Sequence, residues 1–182
     1  MKWLINLLPL VFSQQSFYDF SAQDIDGRIV PLKEFRGKIG LVVNVASECG
    51  YTDTEYENLN ELYNQFARSG KFEIFAFPCN QFGQQEPGSN AEIRDFVRKE
   101  KRVEFKVFSK VLVRYEAENK RVHPAWNWLV ERSKEQPRWN FTKYLIDENG
   151  LLISHHAHDI PAIELRGRIK DLITKLQMKE DL

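Results

Sequence analysis

Cys49 and Cys79 are the only thiols among 182 residues. Cys49 stands where an apolar, β-branched run, Gly40 to Ala46, gives way to a helical pattern beginning at Thr52. A helix N-terminus offers free amides and a partial positive charge. A thiol there is expected to ionise more readily, and the thiolate is the reactive form. A buried structural cysteine fits the same position equally well. The spacing removes two other chemistries. Cys49-Gly50-Tyr51-Thr52 puts threonine where a C-x-x-C redox couple needs its second cysteine. A cysteine hydrolase needs a histidine base, and His123, His155, His156 and His158 form no local hydrolase signature. His155-His156-Ala157-His158 has no cysteine or acidic partner at ligand spacing, so no metal is expected and the stretch reads as a surface hairpin.

A second loop follows Pro78-Cys79. It carries Asn80, Gln81, Gln84 and Gln85 around Phe82-Gly83. Neutral amides both donate and accept, so they can orient a peroxide or bond a sulfur anion. The same residues are also ordinary loop composition. Trp139-Asn140 adds an indole donor and another amide, although a tryptophan before a strand is more often core. Asn140-Phe141-Thr142 is an N-glycosylation sequon.

The elements that must position these residues follow from periodicity. Phe17 to Ile29 alternates about Asp26-Gly27, a hairpin signal. Gly40 to Ala46 reads as a strand buried on both faces. Thr52-Asp53-Thr54-Glu55 reads as a capping box ahead of Tyr56, Leu59, Leu62, Tyr63 and Phe66 at helical spacing, ending near Ser69-Gly70. Phe72 to Phe77 is a second strand. Ser89-Asn90-Ala91-Glu92 caps a helix carrying Ile93, Phe96 and Val97. Val107 to Val113 is a short strand or irregular, and Pro124 opens another helix. Phe141 to Ile146 and Leu151 to Ser154 form a late hairpin, and Pro161 opens a final helix through Leu176. The order is that of an α/β chain with a sheet covered by helices.

The length fits one domain with a proper core. Basic and acidic residues balance at 26 each, which points to no nucleic acid or acidic membrane surface. Lys2 and the short apolar stretch Leu4 to Phe12 have the layout of a secretory signal peptide, residues 1–13. No stretch is long enough for a membrane span. Lys179-Glu180-Asp181-Leu182 differs from a KDEL retention signal by exchanging its two acids. Together the termini place residues 14–178 in the endoplasmic reticulum lumen, where disulfides are permitted.

Three segments match one family. VVNVASECGYTDTEY resembles the active-site segment of glutathione peroxidases, with cysteine where some members carry selenocysteine. FPCNQFGQQEPGSN, Phe77 to Asn90, resembles the family's second signature, and WNFTKYLIDENG, Trp139 to Gly150, its third. They occur in family order and spacing, and the resemblance runs from about Ser16 to Leu176. It implies a thioredoxin-like fold, a central mixed β-sheet flanked by helices with an N-terminal β-hairpin. It also implies a peroxidase reducing hydrogen peroxide or organic hydroperoxides, with Cys49 attacking and Gln85, Trp139 and Asn140 supporting it. Gln84 falls at a variable family position. No prosthetic group is implied; a thiol reductant, glutathione or a reduced disulfide isomerase, is the co-substrate.

Two departures from the family pattern narrow this further. Thioredoxin-dependent members carry a resolving cysteine in the helix after the second signature, where this chain has Phe96-Val97-Arg98-Lys99. The chain also lacks the segment between Val111 and Trp139 that builds the tetramer interface in other members, so a monomer is expected. With its termini, the chain resembles the branch resident in the endoplasmic reticulum, whose members use glutathione poorly and oxidise protein disulfide isomerases. In that branch the cysteine matching Cys79 can capture the oxidised Cys49, which requires Cα atoms within about 7 Å; direct reaction with the partner is the other route. A glutathione-dependent peroxidase and a non-enzymatic redox-sensing or binding module on the same fold are the alternatives. Asn140 is expected to be unglycosylated, because it should lie beside Trp139 at a strand start.

Overall fold

The computed structural model describes residues 15–117 and 121–180. Residues 1–13, expected as a signal peptide, and Asp181 and Leu182 of the expected retention sequence lie outside them. A small antiparallel ribbon pairs β1, Ser21–Gln23, with β2, Ile29–Pro31, around the Asp26-Gly27 turn. The strands β3, Ile39–Val45, and β4, Phe72–Pro78, run parallel, joined through helix α1, Thr52–Phe66. Helix α2, Asn90–Asp95, continues into a wider π-type turn over Phe96–Glu100. Then come the two-residue β5, Lys106–Val107, and helix α3, Pro124–Ser133. The antiparallel pair β6, Lys143–Ile146, and β7, Leu152–His156, precedes α4, Arg166–Glu180, which follows a short 3-10 turn. The five-stranded sheet has the order β5-β4-β3-β6-β7 and is mixed: β6 lies antiparallel to β3.

The sheet separates two core layers. Alternate residues of β3, Ile39, Leu41, Val43 and Val45, face α1 and α4. Val42 and, from β4, Phe75 and Phe77 face Trp126 and Leu129 of α3 on the other side. Strands covered on both faces are apolar throughout, which explains the uninterrupted runs of β3 and β4. Gly40 lies where the sheet and the aromatic layer meet. A Cβ there would fall 2.7 Å from an Ile146 side-chain carbon and 2.9 Å from the Phe75 ring.

Several expectations are modified. The proposed capping box at Thr52 does not form. Tyr51 occupies the cap position without a side-chain bond. The Thr52 hydroxyl instead accepts from the Cys49 N–H at 3.0 Å and donates to the Ala46 carbonyl at 2.8 Å. Glu55 turns inward, because Lys143 supplies an opposite charge in the core. Its carboxylate lies 2.8 Å from the Lys143 ammonium, with both side chains buried. Burial pushes the Lys143 ammonium down and Glu55 opposes that shift. The capping box at Ser89 does form. The histidine stretch is a hairpin strand but not an open surface. His155 packs on the Tyr144 ring, His156 bonds Ser154, and all three histidines are half-buried.

Asn44 is the one polar side chain in β3, and it is fully buried. Its Nδ2 donates to the Trp139 carbonyl at 3.2 Å, and its Oδ1 accepts from the Thr142 N–H at 3.0 Å. Its main-chain carbonyl accepts from the Phe141 N–H at 2.7 Å. This clamp fixes the segment entering β6 in a left-handed kink, with φ of 64° at Phe141, a conformation a bulky residue adopts only when its surroundings impose it. Asn44→Ala is expected to cost about 1–3 kcal/mol for each backbone group left without its partner, read from urea unfolding. A loss below about 0.5 kcal/mol, the level of an ordinary surface change, would show that the clamp does not hold the kink.

Candidate active site

Parallel pairing puts the ends of β3 and β4 side by side, with Val45 opposite Pro78. The turn 46–51 carrying Cys49 and the loop after Cys79 therefore leave the sheet together at its carboxyl edge, where ligands bind in open α/β sheets. Their backbones are tied directly. The Cys79 N–H donates to the Val45 carbonyl at 3.1 Å, and the Glu48 N–H donates to the Gln85 carbonyl at 3.0 Å. The antiparallel β6 brings Trp139 and Asn140 to the same edge through the Asn44 clamp.

Asn140 is completely buried. Its Nδ2 donates to the Gln85 Oε1 at 2.8 Å and approaches the Phe82 carbonyl at 3.4 Å. Its Oδ1 has no hydrogen-bond partner among the described residues. A buried amide oxygen without a partner is costly, and it leaves an acceptor free beside Gln85. The Trp139 ring packs against Phe82 with centroids 6.1 Å apart and touches both core layers. Gly83 makes room for it. Its φ is +64°, and a Cβ there would sit 3.3 Å from the Trp139 ring. Asn140 and Gln85, 55 residues apart, thus bond directly, Trp139 packs on Phe82 of the same loop, and the Cys49 turn is bonded to that loop at Gln85.

The two thiols have different settings. Both are free. Cys49 is 8% exposed and belongs to the α1 layer. Its turn is pinned by the two Thr52 hydroxyl bonds. Cys79 is 0% exposed, belongs to the α3 layer, and lies 3.4 Å from the Gln81 Oε1. Burial pushes its thiol up to about 11. The two thiols thus pack in different core layers.

Four residues that sequence reasoning did not place at the site support this arrangement: Asn44, Thr52, Glu86 and Lys110. Glu86 follows Gln85 and is fully buried. It accepts from the Ser47 hydroxyl at 2.6 Å, and its N–H donates to the Asn80 Oδ1 at 2.9 Å. The Lys110 ammonium clasps the same loop through the carbonyls of Glu86, Pro87 and Gly88, at 3.0, 3.3 and 2.6 Å. The readable signals were a lone amide in an apolar strand and a lone acid in an amide-rich loop. Nothing in the sequence pointed to Lys110. Among the described residues no group of three or more acidic, histidine or cysteine side chains is arranged to hold a metal, and no helix is long and apolar enough to cross a membrane.

Comparison with known proteins places this geometry. The glutathione peroxidase family model matches residues 17–130. Glutathione peroxidase 7 of Mus musculus is 44% identical over 172 residues, covering 93% of this chain and 90% of that protein. Probable glutathione peroxidase 8 of the same species is 40% identical over 185 residues, covering 100% and 86%. Among solved structures, Trgpx in its apo form superposes with a TM-score of 0.72 at 31% identity, covering 89% of this chain and 97% of that one. A thioredoxin-family thiol:disulfide interchange protein from Chlorobium tepidum, at 14% identity and a TM-score of 0.64 over 85% and 92%, shares the fold alone. The fold is thioredoxin-like, as the three sequence signatures implied. On the family model and on relatives alike over nearly its whole length, the chain belongs to the glutathione peroxidase family and is a peroxidase.

Proposed function

We propose that Cys49 is the attacking residue, that Gln85, Trp139 and Asn140 support it, and that the reductant is a dithiol protein of the disulfide isomerase type in the endoplasmic reticulum lumen. The observation that carries this is the Gln85–Asn140 hydrogen bond, formed on the loop whose backbone holds the Cys49 turn. The Cys49 thiolate attacks one oxygen of hydrogen peroxide or an organic hydroperoxide. An S–O bond forms, the O–O bond breaks, and the second oxygen takes a proton and leaves as water or alcohol. The sulfur becomes a sulfenic acid. Amide and indole donors stabilise the charge that moves onto oxygen. A thiol of the reductant then attacks the oxidised sulfur and water leaves. The resulting mixed disulfide is released by the reductant's second thiol.

A protein dithiol is favoured over glutathione by the surroundings of the Cys49 turn. A cavity of about 420 Å³ beside it is walled by Ser47, Glu48, Glu86 and Glu92. The Glu48 and Glu92 carboxylates on its wall disfavour a tripeptide that carries two carboxylates of its own. Residues 1–13 as a leader and Lys179 to Leu182 as a retention signal supply the compartment. Lys179 lies 3.2 Å from the Glu148 carboxylate at the surface. Cys79 enters as a resolving thiol only through movement of its loop, and the protein acts as a monomer.

Cys49→Ser is expected to lower peroxide consumption by roughly a thousandfold or more, as loss of a covalent nucleophile does. Full activity in that variant removes Cys49 from the mechanism. Turnover with reduced disulfide isomerase should exceed turnover with glutathione at equal thiol concentration, and the reverse order would establish the glutathione-dependent alternative.

Iodoacetamide at neutral pH should label Cys49 well before Cys79. The Cys79 thiol is held about two units above the ordinary thiol value of 9.0 and is fully buried, so its thiolate is about a hundredfold scarcer than in an ordinary cysteine. Peptide mapping that finds Cys79 alkylated first contradicts the assignment. Asn140 should carry no glycan in folded, active protein, because its Nδ2 is occupied by Gln85 and it has no exposed surface. A glycosidase-sensitive mass increase on that residue in active protein would exclude it from the site.

A further inference from the structure

We propose that Glu86 is a positioning residue for the reaction at Cys49, fastening the Cys49 turn to the Gln85 loop through Ser47, and that it does so as the neutral acid. The inference rests on the peroxidase chemistry placed at Cys49 above. Ser47 lies two residues before Cys49, and Glu86 is the residue after Gln85. The Ser47 Oγ to Glu86 Oε1 distance of 2.6 Å is at the short end for hydroxyl–oxygen bonds. With the Glu48 N–H to Gln85 carbonyl bond, it makes a second rung between the same two loops. One side chain thus couples the segment bearing the sulfur to the segment bearing its amide neighbour.

Protonation follows from what surrounds the carboxyl. Glu86 is 0% exposed, and its Oε2 has no partner among the described residues. An ionised carboxylate there would be a buried charge. Ser47, through its hydroxyl and its backbone, and Lys110 compensate it only in part. Lys110 lies near, but its ammonium is already held by the three loop carbonyls. Glu48, on the Cys49 turn, adds like charge. Tyr56 of α1 is fully buried, its hydroxyl also lacks a partner among the described residues, and the charge of Glu86 would push that hydroxyl further from ionising. Glu92 of α2, across the cavity, is occupied by its cap bonds to Ser89. Burial accordingly pushes the Glu86 carboxyl up to about 7, against partial relief from Ser47 and Lys110. Ionisation above that value would strengthen the Ser47 bond itself, but it would leave a buried charge on Oε2 that draws water between the two loops and loosens their fit.

The sign of the stability effect follows. A carboxyl with an ordinary value of 4.5 that is raised to about 7 in the fold binds its proton more tightly folded than unfolded. Its contribution is complete below 4.5 and is lost as pH rises through about 7. Glutamine keeps an acceptor for Ser47 and cannot ionise. The test compares wild type, Glu86→Gln and Glu86→Ala for melting temperature and for the rate of peroxide consumption, between about pH 5.5 and about pH 8.5, which brackets the transition.

Dividing the Glu86→Gln rate by the wild-type rate cancels titrations common to both. The ratio is expected near one at the acid end and to rise by about three- to tenfold at the alkaline end, the effect of one hydrogen bond. The melting temperature of Glu86→Gln should exceed that of wild type only at the alkaline end. Glu86→Ala should be slow throughout, by a similar factor. With an active wild type, ratios that stay flat across the pH range, or full activity in Glu86→Ala, overturn the proposal. A wild type that consumes no peroxide overturns the peroxidase reading itself, and the melting temperatures then report separately whether Glu86 holds the loops as a neutral acid.

Discussion

A single buried amide holds the site to the fold. Asn44 interrupts a strand that is otherwise apolar, and its side chain has exchanged water for two backbone groups of another segment. In the low-dielectric core that exchange is favourable only while both partners stay in place. The kinked backbone at Phe141 needs such a restraint, and Asn140 can reach Gln85 only from that kink. A leucine in the same place would suit the hydrophobic pattern of β3 but would remove the side-chain bonds to the Trp139 carbonyl and the Thr142 N–H, leaving only main-chain bonds to the segment. The strand therefore sacrifices some apolar packing for the position of a loop.

Around that anchor the sheet does the gathering. Parallel β3 and β4 bring two loops to one edge, and antiparallel β6 delivers the third segment to the same edge. The buried Lys143–Glu55 pair then couples the start of β6 to the first turns of α1, the helix that follows Cys49. Lys143 also donates to the Ile160 carbonyl, and Glu55 accepts from the Ala162 N–H, so the approach to α4 joins the same network. A buried ion pair is weak evidence of stability. Its value here is geometric, since it fixes three elements relative to one another behind the Cys49 turn.

Much of this could be read from the residue order. The long strands and helices followed from period and from turn residues, because both faces of β3 and β4 are covered and the runs are unbroken. The segments of the three signatures meet at one edge of the sheet, because parallel β3 and β4 and antiparallel β6 end there. Local rules misled where a side chain had a better distant partner. Thr52 and Glu55 have capping-box spacing, yet Thr52 turns back to Cys49 and Ala46, and Glu55 is drawn inward by Lys143. The inward turn of Glu55 depends on a residue 88 positions away, beyond the reach of a window on the sequence. Asn44 and Glu86 were visible as oddities of composition, but their roles required knowing which backbone groups and hydroxyls stood opposite. The separation of the two cysteines into different layers depends on strand parity continued past the strand ends, which the loops obscure.

That separation has a kinetic meaning. If Cys49 is the residue oxidised, as proposed, its two candidate reducing partners are limited by different physical events. An outside thiol must arrive by diffusion, at a rate proportional to its concentration. Cys79 must first be released from its packed layer, at a rate set by the loop alone. The fate of each oxidised molecule is then a race between an encounter and an opening. On the proposed chemistry the sheet edge would act as a timer, giving abundant reductant the first claim and leaving the internal thiol for times when reductant is scarce.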